Sequence, residues 1–279
     1  MSVASSHGFR AYLVSTSVTN PRIELGYDNH VLSSSKMVQI HCTNLFITVG
    51  DGSDASSSSR IVRVIDITTN QERFSLKFSA PVLNVLATTT RLVVVLAHKL
   101  YVFDLDTCRQ LHSTPTAHNM HGVAALYDPE VSALRQRYVS LIQRHSASAS
   151  PSLGPTAGNS PTLRPLSARA SPLFAPQNGA PASFSAATPD LAPIAHPFIV
   201  YPVQQTQTAP AAGLSSSLGL AAGPPQGVLE VLDLVTLKPI TLLQACAGPV
   251  RSIAIGGEGH MVAVASTKGT IIRVLNTLT

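Results

Sequence analysis

Short apolar runs broken by tight polar turns fill most of this chain. Their length and alternation predict strands rather than helices. Residues 9–14, 37–42, 45–49 and 61–67 are four such runs, and Asp51-Gly52-Ser53-Asp54-Ala55 with the serines after it forms a polar hairpin loop before the last. Residues 82–87, 91–96 and 100–105 predict three strands joined by Thr88-Thr89-Thr90 and His98-Lys99, with 110–113 as a fourth, outer strand. The pattern resumes at 122–127, 197–203 and 228–234. It returns at 250–255, 261–265 and 270–275, where Gly256-Gly257-Glu258-Gly259 and Lys268-Gly269 make the hairpins.

One six-residue pattern recurs through these runs. Val64-Ile65-Asp66-Ile67-Thr68-Thr69 reappears as Val102-Phe103-Asp104-Leu105-Asp106-Thr107 and as Val231-Leu232-Asp233-Leu234-Val235-Thr236, and in degenerate form as Val274-Leu275-Asn276-Thr277-Leu278-Thr279. The copies start 38, 129 and 43 residues apart. A period near 40 is that of a propeller blade, one four-stranded unit. The long interval holds two insertions, 130–194 and 204–225, and without them the spacing returns to 42 residues. The expected fold class is all-β: a β-propeller of WD40-like four-stranded blades, about five present and incomplete, with a disordered insertion. Propellers close by pairing their termini within one blade, and an unclosed one keeps an open edge. The sequence is therefore expected to be a fragment or truncated form of a longer propeller. Its expected divisions are propeller blades over 1–129, a Ser/Ala/Pro-rich insertion over 130–196 and propeller blades over 197–279.

Residues 146–195 and 204–226 are rich in Ser, Ala, Pro, Gln and Gly and poor in charge and aromatics. They hold too little apolar surface to offset an ordering cost of roughly 1–2 kcal/mol per residue, and disorder is expected there. From 131 to 145 the pattern differs. Val131, Leu134, Tyr138, Leu141 and Ile142 fall at helical spacing, with Arg135, Arg137 and Arg144 interleaved. This predicts an amphipathic helix, packed on its own propeller or docked on a membrane or partner. Thr114, Ser150, Ser160, Ser171 and Thr188 each precede a proline. Phosphorylation there would add negative charge and weaken contact with an anionic membrane.

Composition narrows the function classes. The chain is 44% hydrophobic, enough for a substantial core, but only 12% charged. A net charge of +5 with 5% aromatic residues gives a mild bias toward anionic partners, far from the loading of a nucleic-acid binder. Cys42, Cys108 and Cys246 are scattered, which suits a reducing compartment. No apolar run reaches the roughly 18 residues of a membrane span, so a cytosolic protein with at most peripheral membrane contact is expected. No nucleophile, zincin or phosphate-loop motif is present, and acidic residues are sparse and unpaired, so no enzyme and no cofactor are expected. Cys108, His112, His118 and His121 are spaced unlike a zinc site, and no metal is expected.

The last blade is the most specific. Ala265-Ser266-Thr267-Lys268-Gly269-Thr270-Ile271-Ile272-Arg273-Val274 resembles the A-S-x-K-G-T-φ-φ-R-V segment of the phosphoinositide-binding propellers called PROPPINs, the WIPI-type autophagy proteins. Gly8-Phe9-Arg10-Ala11-Tyr12, the pair of runs at 91–96 and 100–104, and 228–234 are similar to earlier segments of that family. The resemblance implies a seven-bladed propeller that binds phosphatidylinositol 3-phosphate (PI3P) and the 3,5-bisphosphate (PI(3,5)P2) at two rim sites. It implies peripheral location on phagophore and endosomal membranes and a scaffold role toward lipid-transfer and conjugation proteins of autophagy. Carried over by motif, Ser266, Gly269, Thr270 and Arg273 line the first lipid site. Arg supplies charge-assisted bonds to a phosphate, and hydroxyls with backbone N–H groups complete an anion nest. Two departures reduce it. The family's Arg-Arg-Gly motif lies beyond Thr279, and Cys246 stands where the family has a histidine, whose cationic hydrogen bond a thiol does not replace. Weak or no binding to phosphoinositide vesicles is therefore expected. The alternative is a scaffold of the same fold without lipid binding.

Overall fold

The computed structural model describes residues 2–5, 8–15, 22–29, 33–41, 43–148, 194–204 and 227–277. The expected disordered tracts therefore lie almost wholly outside the described residues, as do Ser150, Ser160, Ser171 and Thr188. The chain divides into one unit of Met1–Val139 with Pro193–Thr279 and a second of Ser140–Ala192.

The first unit is a succession of antiparallel sheets, each built from strands in sequence order. β1 (Ser2–Ser5), β2 (Gly8–Ser15) and β3 (Arg22–Asn29) make a three-stranded sheet. β4 (Ser34–Gln39), β5 (Leu45–Gly50), β6 (Ile61–Asp66) and β7 (Gln71–Lys77) make the second sheet. β8 (Asn84–Ala87), β9 (Arg91–Val95), β10 (Lys99–Asp104) and β11 (Gln110–Pro115) make the third. In the fourth, β12 (Ala125–Tyr127) is followed by the helix α1 (Pro129–Ser148) before β13 (Phe198–Val203), β14 (Val228–Asp233) and β15 (Pro239–Gln244). β16 (Val250–Gly256), β17 (Met261–Ser266) and β18 (Ile272–Asn276) form a fifth, three-stranded sheet. The all-β propeller expected from the repeat is the fold observed, with both long insertions in the fourth blade.

The sheets stack face to face, and burial on both faces explains the continuous apolar runs. In β9, Leu92 and Val94 pack with Val62 and Val64 of the second sheet, while Val93 and Val95 pack with Ile199 and Tyr201 of the fourth. All four β9 side chains are fully buried. The next layer joins Leu229, Val231 and Leu243 to Val262 and Val264 of the fifth sheet.

The recurrent aspartate closes the turn between the third and fourth strands of a blade. Asp66 Oδ1 accepts the Thr68 N–H at 2.9 Å. Asp104 Oδ1 accepts the Thr107 N–H at 2.9 Å and its hydroxyl at 2.8 Å. Asp233 Oδ1 accepts the Val235 N–H at 2.7 Å, and Oδ2 the Thr236 hydroxyl at 3.0 Å. Four residues past each aspartate the backbone turns left-handed, at Asn70 (φ 54), Cys108 (φ 58) and Leu237 (φ 59). Each of the three strand pairs carries a register shift just before its aspartate.

Candidate functional site

The hairpin between β17 and β18 carries all four residues of the expected lipid site. Ser266 ends β17, Gly269 and Thr270 lie in the turn, and Arg273 is the second residue of β18. Gly269 has φ +65, a conformation natural to glycine, and its N–H bonds to the Ser266 carbonyl at 2.9 Å. The Thr267 N–H is held by the Pro249 carbonyl at 3.0 Å. Lys268, Gly269 and Thr270 are exposed.

Register fixes which side chains share a face. Arg273 lies opposite Val264. Val264 and Val262 are buried against the fourth sheet, so the period of two puts Ser266 and Arg273 on that same face. They are diagonal neighbours, within reach of one small anion. Ile272 and Val274 point the other way and are 71% and 62% exposed. Thr270 sits in the turn, outside this alternation.

Arg273 is partly committed. Its Nη1 donates to the Ala245 carbonyl at 2.8 Å, which ties the edge strand to the end of the fourth sheet. A guanidinium has five N–H donors, so the others remain for a second acceptor. The neighbouring knot is tight. Cys246 is buried and its thiol donates to the Gly248 carbonyl at 3.0 Å. Gly227 has φ +81, and a Cβ there would stand 2.5 Å from Cys246 Sγ and two carbonyl oxygens. Where the family resemblance implies an imidazole, this chain has an inward-facing thiol, which offers no cation.

The charge pattern around the hairpin was not read from sequence. In the fifth sheet and its turns the one acid is Glu258, against Arg251, Lys268 and Arg273. Glu258 lies in the turn between β16 and β17, at the opposite end of the sheet from Gly269. The hairpin end is thus cationic with no counter-charge from its own sheet, a setting that favours an anion.

Helix α1 begins at that opposite end. Its Gln136 side-chain amide donates to Glu258 Oε1 at 2.7 Å. Val131, Leu134 and Val139 are each close to half exposed. The helix expected from 131–145 is present, with a polar side chain, not an apolar one, making this contact. Among the described residues no helix is long and apolar enough to cross a membrane. Cys108, His112, His118 and His121 are not drawn together. Cys108 sits in a turn, where burial raises its thiol above the usual range, and His118 Nδ1 lies 3.3 Å from His98 Nε2.

No family model matches the chain. It is 25% identical over 255 residues to autophagy-related protein 18 of Meyerozyma guilliermondii, covering 86% of this chain and 41% of the relative. It is 28% identical over 241 residues to autophagy-related protein 18 of Saccharomyces cerevisiae, covering 84% and 44%. The chain thus spans less than half the length of these curated relatives. Among solved structures, Kluyveromyces lactis Hsv2 matches with a TM-score of 0.54 at 16% identity, covering 99% of this chain and 56% of that one. A complex of KlAtg21 with the coiled coil of AgAtg16 matches with a TM-score of 0.55 at 14% identity, covering 100% and 65%.

Proposed function

We propose that this chain is a PROPPIN-type phosphoinositide effector and scaffold in autophagosome formation, reading PI3P or PI(3,5)P2 through a site on the β17–β18 hairpin. The observation that carries the reading is the shared face of Ser266 and Arg273 at an acid-free, glycine-turned end of the sheet. Arg273 gives the phosphate charge-assisted hydrogen bonds from the N–H groups not spent on Ala245. The Ser266 and Thr270 hydroxyls add neutral donors, and exposed Lys268 adds a point charge. The Cys246 thiol adds no cation, so affinity is low. Membrane association is peripheral.

A second reading, a scaffold without lipid binding, draws support from the exposed apolar face of β18 at Ile272 and Val274. The matching KlAtg21 structure holds a coiled coil. In this reading a helical segment of an autophagy conjugation or lipid-transfer protein is the partner.

Flotation with vesicles of phosphatidylcholine containing PI3P, PI(3,5)P2, PI4P or unphosphorylated phosphatidylinositol separates the two. The lipid reading expects weak flotation that is strongest with the 3-phosphorylated lipids. Equal background with all four vesicles sinks it and leaves the scaffold.

A further inference from the structure

We propose that His41, Asp128 and Glu130 hold a divalent transition-metal ion of the zinc class, which staples the β4–β5 turn to the first turn of α1. The three residues come from segments 87 positions apart in sequence, and the stacking of the sheets brings them together. Their candidate ligand atoms all lie within 4.8 Å of one another. His41 Nε2 is 3.5 Å from Asp128 Oδ2 and 3.8 Å from Glu130 Oε2.

Two of these atoms are buried and have no hydrogen-bond partner. The side chains of His41 and Asp128 are only 9% and 7% exposed, and neither Nε2 nor Oδ2 makes a hydrogen bond. Asp128 caps α1 through its other oxygen, with Oδ1 accepting the Glu130 N–H at 3.0 Å. That bond turns Oδ2 toward His41. Leaving buried polar atoms unpaired costs about 1–3 kcal/mol each, so the arrangement calls for something between them. A direct ion pair fills the gap poorly, because the imidazole is aligned for a hydrogen bond to neither carboxylate.

A metal ion fits the spacing. With zinc–nitrogen and zinc–oxygen bonds of roughly 2.0–2.2 Å, ligand atoms in a tetrahedron lie about 3.3–3.5 Å apart. The two His41 distances already lie near that spacing, and an inward turn of the exposed Glu130 side chain brings the third atom onto the same ion. The imidazole argues against calcium and magnesium, which take oxygen ligands, and one nitrogen with two carboxylates suits zinc or manganese. The two carboxylates match the ion's charge. Glu130 is 65% exposed, so the fourth position opens to water.

The test is calorimetric titration of zinc chloride into the chelator-stripped 279-residue protein and its variants. The expected result is one equivalent bound, with affinity reduced by at least about tenfold in His41→Ala and in Glu130→Gln. Glu130→Gln changes an exposed residue, and an unchanged circular dichroism spectrum certifies its fold, so it decides the matter even if His41→Ala does not fold. Absence of zinc binding overturns the proposal. Binding undiminished in Glu130→Gln also overturns it and assigns the metal elsewhere, for instance to the His98–His118 pair.

Discussion

The repeated aspartate acts locally at the residue scale. Each copy ties down its own turn, and the turn is completed by a left-handed residue four positions on. The hydrogen bonds also set the acid behaviour. The N–H and hydroxyl of Thr107 hold the Asp104 carboxyl below the usual range. Burial alone would raise Asp233, but its bonds to Val235 and Thr236 outweigh that and hold it low too. A depressed carboxyl gives stability that is fully present above the unfolded value of about 3.9 and is lost as pH falls through the lower folded value. Thermal midpoints measured from pH 6 downward are therefore expected to drop below about pH 4. Asp233→Ala is expected to lower the midpoint at pH 7 by roughly 2–4 °C and to flatten that acid dependence. The Asp-Thr pattern was legible in sequence because it is local. The left-handed Cys108 and Leu237 were not, since neither residue type signals positive φ. His41 and Asp128 were illegible for a different reason: they meet only after whole sheets have stacked.

At the scale of elements, strands with two buried faces differ from those with one. β9 reads as an unbroken apolar run because neighbouring sheets cover both of its faces. The outer strands β7 and β15 escaped the pattern reading for the opposite reason. Both are largely exposed; β7 is mostly polar, and in β15 the apolar Ile240 and Leu242 face outward and do not alternate cleanly with polar residues. β18 is the revealing case, apolar in sequence yet covered on one face among the described residues. Truncation should separate the two kinds of strand. Leu92→Ala removes a fully buried side chain and is expected to cost roughly 2–5 kcal/mol in chemical denaturation. Val274→Ala, on the exposed face, is expected to stay within about 0.5 kcal/mol. Equal losses from the two would mean that the exposed face of β18 is covered in solution.

At the scale of the whole molecule, chemistry gathers at opposite ends of the sheets. The cationic hairpin with Ser266 and Arg273 lies at one end of its sheet, and Glu258, bonded to the start of α1, lies at the other. The repeat period made the propeller legible, and the 265–274 motif pointed to the β17–β18 hairpin. The engagement of Arg273 by Ala245, and the inward thiol of Cys246, emerged only from packing between the fourth and fifth sheets. These two contacts make the proposal specific: weak binding at the β17–β18 hairpin, centred on Arg273. The most direct test is a binding isotherm on PI3P vesicles for the unaltered chain and for Arg273→Ala, with folding of both checked by circular dichroism. The account predicts weak, salt-sensitive binding that Arg273→Ala abolishes. Tight 3-phosphate-selective binding, or weak binding indifferent to Arg273→Ala, would contradict it.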